Sequence, residues 1–261
     1  MSRLTAFGII LGFTLITLSI VHGGSIWLFF NPDAIFITFG GTIAATFIAY
    51  PFSSIRRIAH VALNAFKKVR YLPESYITII LELAKVYRAG GLKKLETEEE
   101  SLNNRFLRLG VEMVVDGFSS ADIDDIFEKE MIYLALRHES GETILRTMAK
   151  FAPAFGMVGT LIGLIQVISR LADPNTVGPP LAMALISTFY GILLANLILL
   201  PISAKLRTRT EQELLLIRLI KEGIMGLQRQ DHPSLMLRHL NAILPPDLRA
   251  IKYSPAVRIN E

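Results

Sequence analysis

The stretch "FAPAFGMVGTLIGLIQVI" (Phe151–Ile168) decides how the rest of this chain is read. It is apolar enough to cross a membrane, yet it opens near a proline, carries three glycines and holds a single hydroxyl, Thr160. It contains no ionisable side chain. Placed on a helix, Pro153, Gly156, Thr160 and Gly163 fall at i, i+3, i+7 and i+10, which is one face.

Working outward, "LAMALISTFYGILLANLILLPIS" (Leu181–Ser203) repeats the pattern: Ala184, Thr188, Gly191 and Ala195 share a face, and Pro201 closes the run. Two earlier stretches have a similar length and apolarity, "LTAFGIILGFTLITLSIV" (Leu4–Val21) and "AIFITFGGTIAATFIAY" (Ala34–Tyr50). Each is near the length that a hydrocarbon core demands, so four transmembrane helices are expected. No small-residue cleavage pattern follows the first, which reads as a retained span. The chain is 51% hydrophobic and 19% charged, with a mean hydropathy of +0.44, and the apolar excess is gathered into these blocks. The absence of cysteine excludes disulfides, zinc–thiolate sites and thiol catalysis.

Lysine and arginine placement predicts the orientation. The connection "HGGSIWLFFNPD" (His22–Asp33) has neither, whereas Arg56, Arg57, Lys67, Lys68 and Arg70 follow the second span and Lys205, Arg207 and Arg209 follow the fourth. Both termini and the long middle segment are therefore expected in the cytoplasm. That segment, residues 51–151, balances fifteen basic against fifteen acidic residues and shows helical periodicity throughout. "AGG" (Ala89–Gly91) reads as a helix stop, Ser120 as an N-cap, and the tail "EQELLLIRLIKEGIMGLQRQ" as a further amphipathic helix. The predicted fold class is all-α. Spans one and two occupy residues 1–50, a cytoplasmic helical domain 51–151, spans three and four 152–203, and a cytoplasmic tail 204–261.

The small-residue faces have two uses. One is close helix–helix packing, with Gly156, Gly159, Gly163 and Gly191 letting backbones approach. The other is a polar path, with the Thr160 and Thr188 hydroxyls as weak ligands for an ion or water. Pro153 and Pro201 both fall toward the cytoplasmic ends of their spans, where kinks at a common depth suit a gate or mere helix ends. No Asp, Glu, Lys, Arg or His lies well inside any span. Ion translocation coupled to work usually needs such a residue, so a transporting role requires the titrating carboxylate to come from another chain. No Ser/His/Asp setting, metal cluster or phosphate loop is visible, so neither an enzyme nor a metal or cofactor site is expected.

"APAFGMVGTLIGLI", "DPNTVGPPLAMALISTFYGILLANLILLPISAKL", "HGGSI" and "YRAGGLKKLE" together resemble the flagellar stator A subunits of the MotA/PomA family, over nearly the whole chain. The resemblance implies a bacterial inner-membrane protein in which several A subunits, taken to be five, ring a dimer of the B subunit. The B helix brings the ion-carrying aspartate, and the transported ion is sodium or a proton. It further implies that Pro153 and Pro201 couple ion flow to shape change and that Arg88, Glu96 and Glu130 contact the rotor protein FliG. Thr160 and Thr188 then border the channel; threonine at the first position resembles the sodium-driven members. The rival readings are an ExbB/TolQ-like energiser, which has three spans, and a non-conducting membrane scaffold.

Overall fold

The computed structural model describes residues 3–65, 73–246 and 249; helices joined by short turns make up their regular structure, with no strand among them. Lys67, Lys68 and Arg70, used above for orientation, lie outside the described residues, as does most of the chain after Pro246. Among the described residues, three helices are long and apolar enough to cross a membrane: Pro32–Ala49, Ser120–Ser169 and Pro174–Gln228. The first helix, Arg3–Gly23, is apolar over the shorter run Ile10–Gly23.

The chain divides into two compact units. One comprises Met1–Val69 and Arg137–Arg209, the other Arg70–Leu136 and Thr210–Glu261. Two helices, Ser120–Ser169 and Leu200–Gln228, pass unbroken from one unit into the other, so the expected tail helix is a continuation of the fourth apolar stretch.

In the first unit the two apolar helices of the opening motif carry local departures from α geometry. Pro153 lies inside the Ser120–Ser169 helix and not in a first turn. Before Pro201 the chain makes a π-helical stretch, Leu194–Leu199, and the Leu200 N–H donates five residues back to the Ala195 carbonyl. A proline inside a helix lacks its own N–H, and its ring collides with the carbonyl four residues earlier. The wider π turn opens that ladder just where the ring must fit. A second π stretch, Phe36–Gly40, interrupts the Pro32–Ala49 helix.

The second unit is a helical bundle around an apolar core. Ile77, Ile80, Leu107, Ile123, Phe127, Leu219 and Ile224 are all 0–1% exposed in one apolar cluster. The Pro73–Glu99 helix breaks at Gly91 (φ 68, ψ −167), a conformation that only glycine adopts without strain. The "AGG" stop therefore appears as a bend between two helical arms. The Arg105–Val115 helix ends on Gly117 (φ 78), with Gly117 N–H donating to Val114 and Phe118 N–H to Met113, both carbonyls. That pair of bonds is the Schellman termination. The cap of the next helix is a correction. Ser119, not Ser120, receives the Asp122 N–H at 3.2 Å, while its own hydroxyl donates to the Asp122 carboxylate. The N-cap lies one residue before the first helical position, and Ser120 already is that position.

Candidate ion-pathway site

The site is built from backbone outward. A Cβ placed on Gly156 would lie 2.9 Å from the Ser187 carbonyl oxygen and 3.0 Å from Thr188 Cα. On Gly163 it would meet the Pro180 carbonyl oxygen at 2.5 Å, and on Gly191 the Ala152 carbonyl oxygen at 2.6 Å. Gly159 faces the Ser187 side chain in the same way. The two helices thus touch main chain to main chain along their glycine faces, an approach that any side chain would block.

That approach sets two hydroxyls against each other. Thr160 Oγ1 and Thr188 Oγ1 are 2.5 Å apart. Thr160 Oγ1 also lies 3.0 Å from the Ala184 carbonyl oxygen and 3.2 Å from that of Gly156, which Thr188 Oγ1 approaches at 3.3 Å. Each hydroxyl has one proton and two lone pairs. Two protons serve this set: one bonds the hydroxyls to each other, and the other goes to a carbonyl. Three of the four hydroxyl lone pairs remain unused, and both side chains are half-buried rather than sealed. The pair is an uncharged oxygen cluster with lone pairs left to accept a further hydrogen bond.

A third helix joins the crossing, and sequence reasoning missed it. Thr38, Thr42 and Thr46 of the Pro32–Ala49 helix are 0–2% exposed. Thr38 Oγ1 donates to the Ser187 carbonyl at 3.2 Å, and Thr42 and Thr46 donate to carbonyls one turn back. Ser187, fully buried, donates to the Met183 carbonyl. The signal was present as hydroxyls at i, i+4 and i+8 in "ITFGGTIAAT", the spacing of one helix face.

The two prolines are offset rather than at a common depth. Pro153 Cα would lie 3.0 Å from a Cβ on Gly191, ten residues before Pro201. Pro201 lies instead near the turn where Ser203 Oγ reaches the Glu142 carbonyl at 3.5 Å. Ten helical residues span roughly 15 Å.

The expected rotor-contacting residues lie in the second unit. Arg88 and Glu96 are exposed on opposite sides of the Gly91 bend and form no ion pair with each other. Glu130 is half-buried and stands 3.7 Å from Arg105 Nη2. Near Glu96, burial pushes the Glu99 carboxyl above its ordinary value; Glu112 adds to this, Arg108 opposes it, and Asp116 and Glu96 add further. Acids of two neighbouring helices thus share one electrostatic neighbourhood. On the same bundle Lys221 bridges Asp124 at 2.8 Å and Glu128 at 2.6 Å.

Long apolar helices in glycine-mediated contact around an uncharged hydroxyl pair, joined to a helical bundle with an apolar core, define a class of helical membrane proteins. Residues 98–218 match the model of the MotA/TolQ/ExbB proton channel family. The chain is 34% identical to the chemotaxis protein PomA of Vibrio alginolyticus over 97% of its own length and 99% of that protein's. It superposes on the flagellar MotAB stator complex of Bacillus subtilis with a TM-score of 0.87 at 31% identity, covering 94% of this chain and 96% of that one. It shares its fold with MotAB of C. jejuni at a TM-score of 0.88 and 22% identity, covering 95% and 97% of the two chains. The chain belongs to the MotA/PomA family of flagellar stator A subunits.

Proposed function

We propose that this chain is the A subunit of a flagellar stator that passes sodium between the Phe151–Ile168 and Leu181–Ser203 stretches and a helix of a MotB-like B subunit. Four spans place both termini and the helical bundle in the cytoplasm of a bacterial inner-membrane protein. A B-subunit dimer inside a ring of five A subunits supplies the titrating aspartate. The observation that carries this reading is the Thr160–Thr188 oxygen pair in helices without any acidic, basic or histidine residue between Lys150 and Arg170 or between Asp173 and Lys205. Such a wall lowers the cost of a passing ion without holding it, and work then requires a carboxylate from the partner.

Pro153 and Pro201 are the positions at which ion-driven shape change enters the two helices that continue into the bundle. There Arg88, Glu96 and Glu130 meet the rotor protein FliG. One charge crossing about 100 mV releases roughly 2.3 kcal/mol. Exposed ion pairs are worth roughly 0–1 kcal/mol, so a single passage suffices to remake such contacts. No cofactor or catalytic role is part of this reading.

Co-expression with the candidate B subunit in a host lacking its own stators tests it. Swimming speed is expected to rise with sodium concentration and to survive a protonophore. Thr160→Val, which keeps shape and removes the hydroxyl, is expected to reduce sodium-dependent speed. Motility abolished by the protonophore and indifferent to sodium would reassign the ion to protons. No motility with any B subunit would favour the non-conducting scaffold.

A further inference from the structure

Immediately after the apolar Pro32–Ala49 helix, the chain turns through an extended Tyr50 (φ −138, ψ 145) and begins the Phe52–Ala65 helix. No acidic residue occurs between Asp33 and Glu74, while five lysines and arginines do: Arg56, Arg57, Lys67, Lys68 and Arg70. The charge of this stretch is unneutralised along the chain. In space the same holds for its described part: Arg56 and Arg57 are exposed and neither pairs with a described carboxylate.

The helix has two distinct sides. Ile58 is buried in a cluster with Ile144, Leu145 and Ala149, which seats this side on the Ser120–Ser169 helix. Elsewhere the rings of Phe52 and Phe47 lie 6.1 Å apart, and Phe52 is 67% and Ile48 88% exposed. The Tyr50 and Thr147 hydroxyls, 2.8 Å apart, fix the level at which the apolar helix ends. One turn beyond Thr147 stands Lys150, exposed and likewise without a described ion-pair partner. Uncovered rings and unpaired cations therefore sit together where a membrane-crossing helix stops.

We infer that this end of the first unit is a seat for anionic phospholipid headgroups, with Arg56, Arg57 and Lys150 binding lipid phosphates and Phe52 entering the interfacial layer. It rests on the proposed reading only in assigning this end to the cytoplasmic leaflet. Guanidinium groups match phosphate oxygens in a bidentate fork. Basic residues beside a span are drawn to anionic lipid, and an amphipathic helix with aromatic residues lies in the interface plane. A soluble acidic protein would match the cations but would leave Ile48 and Phe52 without an apolar phase. The direct continuation of this surface from a membrane-crossing helix supplies that phase.

The test uses the complex with its B subunit, exposed to equimolar phosphatidylglycerol and phosphatidylcholine, with retained lipids counted by native mass spectrometry. The parent complex is expected to prefer phosphatidylglycerol. Each lost cation is expected to lower that preference about five-fold, so R56Q/R57Q loses about 25-fold. R56K/R57K, which keeps the charge, is expected to retain most of it, separating lipid binding from misfolding. K93Q/K94Q, on the other unit, is the charge-matched control and should change nothing. Unchanged selectivity in R56Q/R57Q, equal loss in K93Q/K94Q, or equal loss in R56K/R57K would each overturn the inference. The readout needs neither ion flux nor rotation, so failure of the motor reading leaves this result standing, and the reverse.

Discussion

The two units hold their helices together by opposite means. In the Arg70–Leu136 and Thr210–Glu261 unit, large side chains fill the interior: Phe127, Ile77, Ile80, Leu219 and Ile224 are all fully buried. In the other unit the helices meet at Gly156, Gly163 and Gly191, against carbonyl oxygens, and buried Thr38, Thr42, Thr46 and Ser187 bond to backbone. The solvent accounts for the difference. Water drives apolar side chains together, so a bundle surrounded by water gains by burying bulk. Lipid is as apolar as leucine, and helices there associate by backbone proximity, dispersion and hydrogen bonds. Leucine and isoleucine are left facing outward: Leu161, Ile165 and Ile168 are 60–67% exposed.

The comparison breaks most sharply at Phe127. Phe127→Ala should destabilise the bundle by about 3–5 kcal/mol, the usual cost of an aromatic cavity. Hydrogen exchange on the intact complex should register this as lost protection in Leu107–Val114 and Leu216–Leu227; protection as in the parent would mean the bundle is not held by bulk. Gly191→Ala is the counterpart in the membrane unit. On an ordinary helix this change stabilises by about 1 kcal/mol. Here the new methyl meets the Ala152 carbonyl, and a loss of about 1–3 kcal/mol is expected instead. Thermal unfolding of the detergent-solubilised complex decides the sign, and a gain would show that the close approach is incidental.

Much of this was legible in the chain because the two environments write different patterns. The apolar blocks, the glycine faces of Phe151–Ile168 and Leu181–Ser203 and the bend at Gly91 follow from length, spacing and one special residue. What escaped depends on contacts between distant stretches. Thr38 to Ser187 joins residues 149 apart, and nothing local marks either as a partner. The offset of Pro153 from Pro201 was invisible because the sequence shows each proline's place in its own span but not the register between spans. The Ser119 cap was misplaced by one residue because two serines in a row satisfy the same local rule, and only the geometry of Asp122 separates them. The roles of Arg88 and Glu96 came from resemblance, since two exposed charges around a turn carry no signature of their own.

The smallest expected effect concerns charge at the bundle's edge. Burial, with Glu112, Asp116 and Glu96 nearby and Arg108 in opposition, holds the Glu99 carboxyl above its ordinary 4.5. Its ionised form is therefore less favourable folded than unfolded, so at neutral pH Glu99 subtracts from stability. As pH falls through the raised value the folded state takes up the proton first, and the deficit disappears below the unfolded value. Glu99→Gln should accordingly stabilise the bundle at pH 7 by a small margin, and parent and variant should converge toward pH 4. Melting curves across that range give the comparison. A constant gap between them would point to packing rather than charge, and a gap that widens in acid would reverse the sign assigned to Glu99. Because Arg108 partly offsets the neighbouring acids, Arg108→Gln should enlarge the benefit of Glu99→Gln at pH 7 and leave it unchanged at pH 4. In the membrane unit no acidic, basic or histidine residue lies between Lys150 and Arg170 or between Asp173 and Lys205, so those stretches add no titrating group of this kind and contribute nothing to the expected pH dependence.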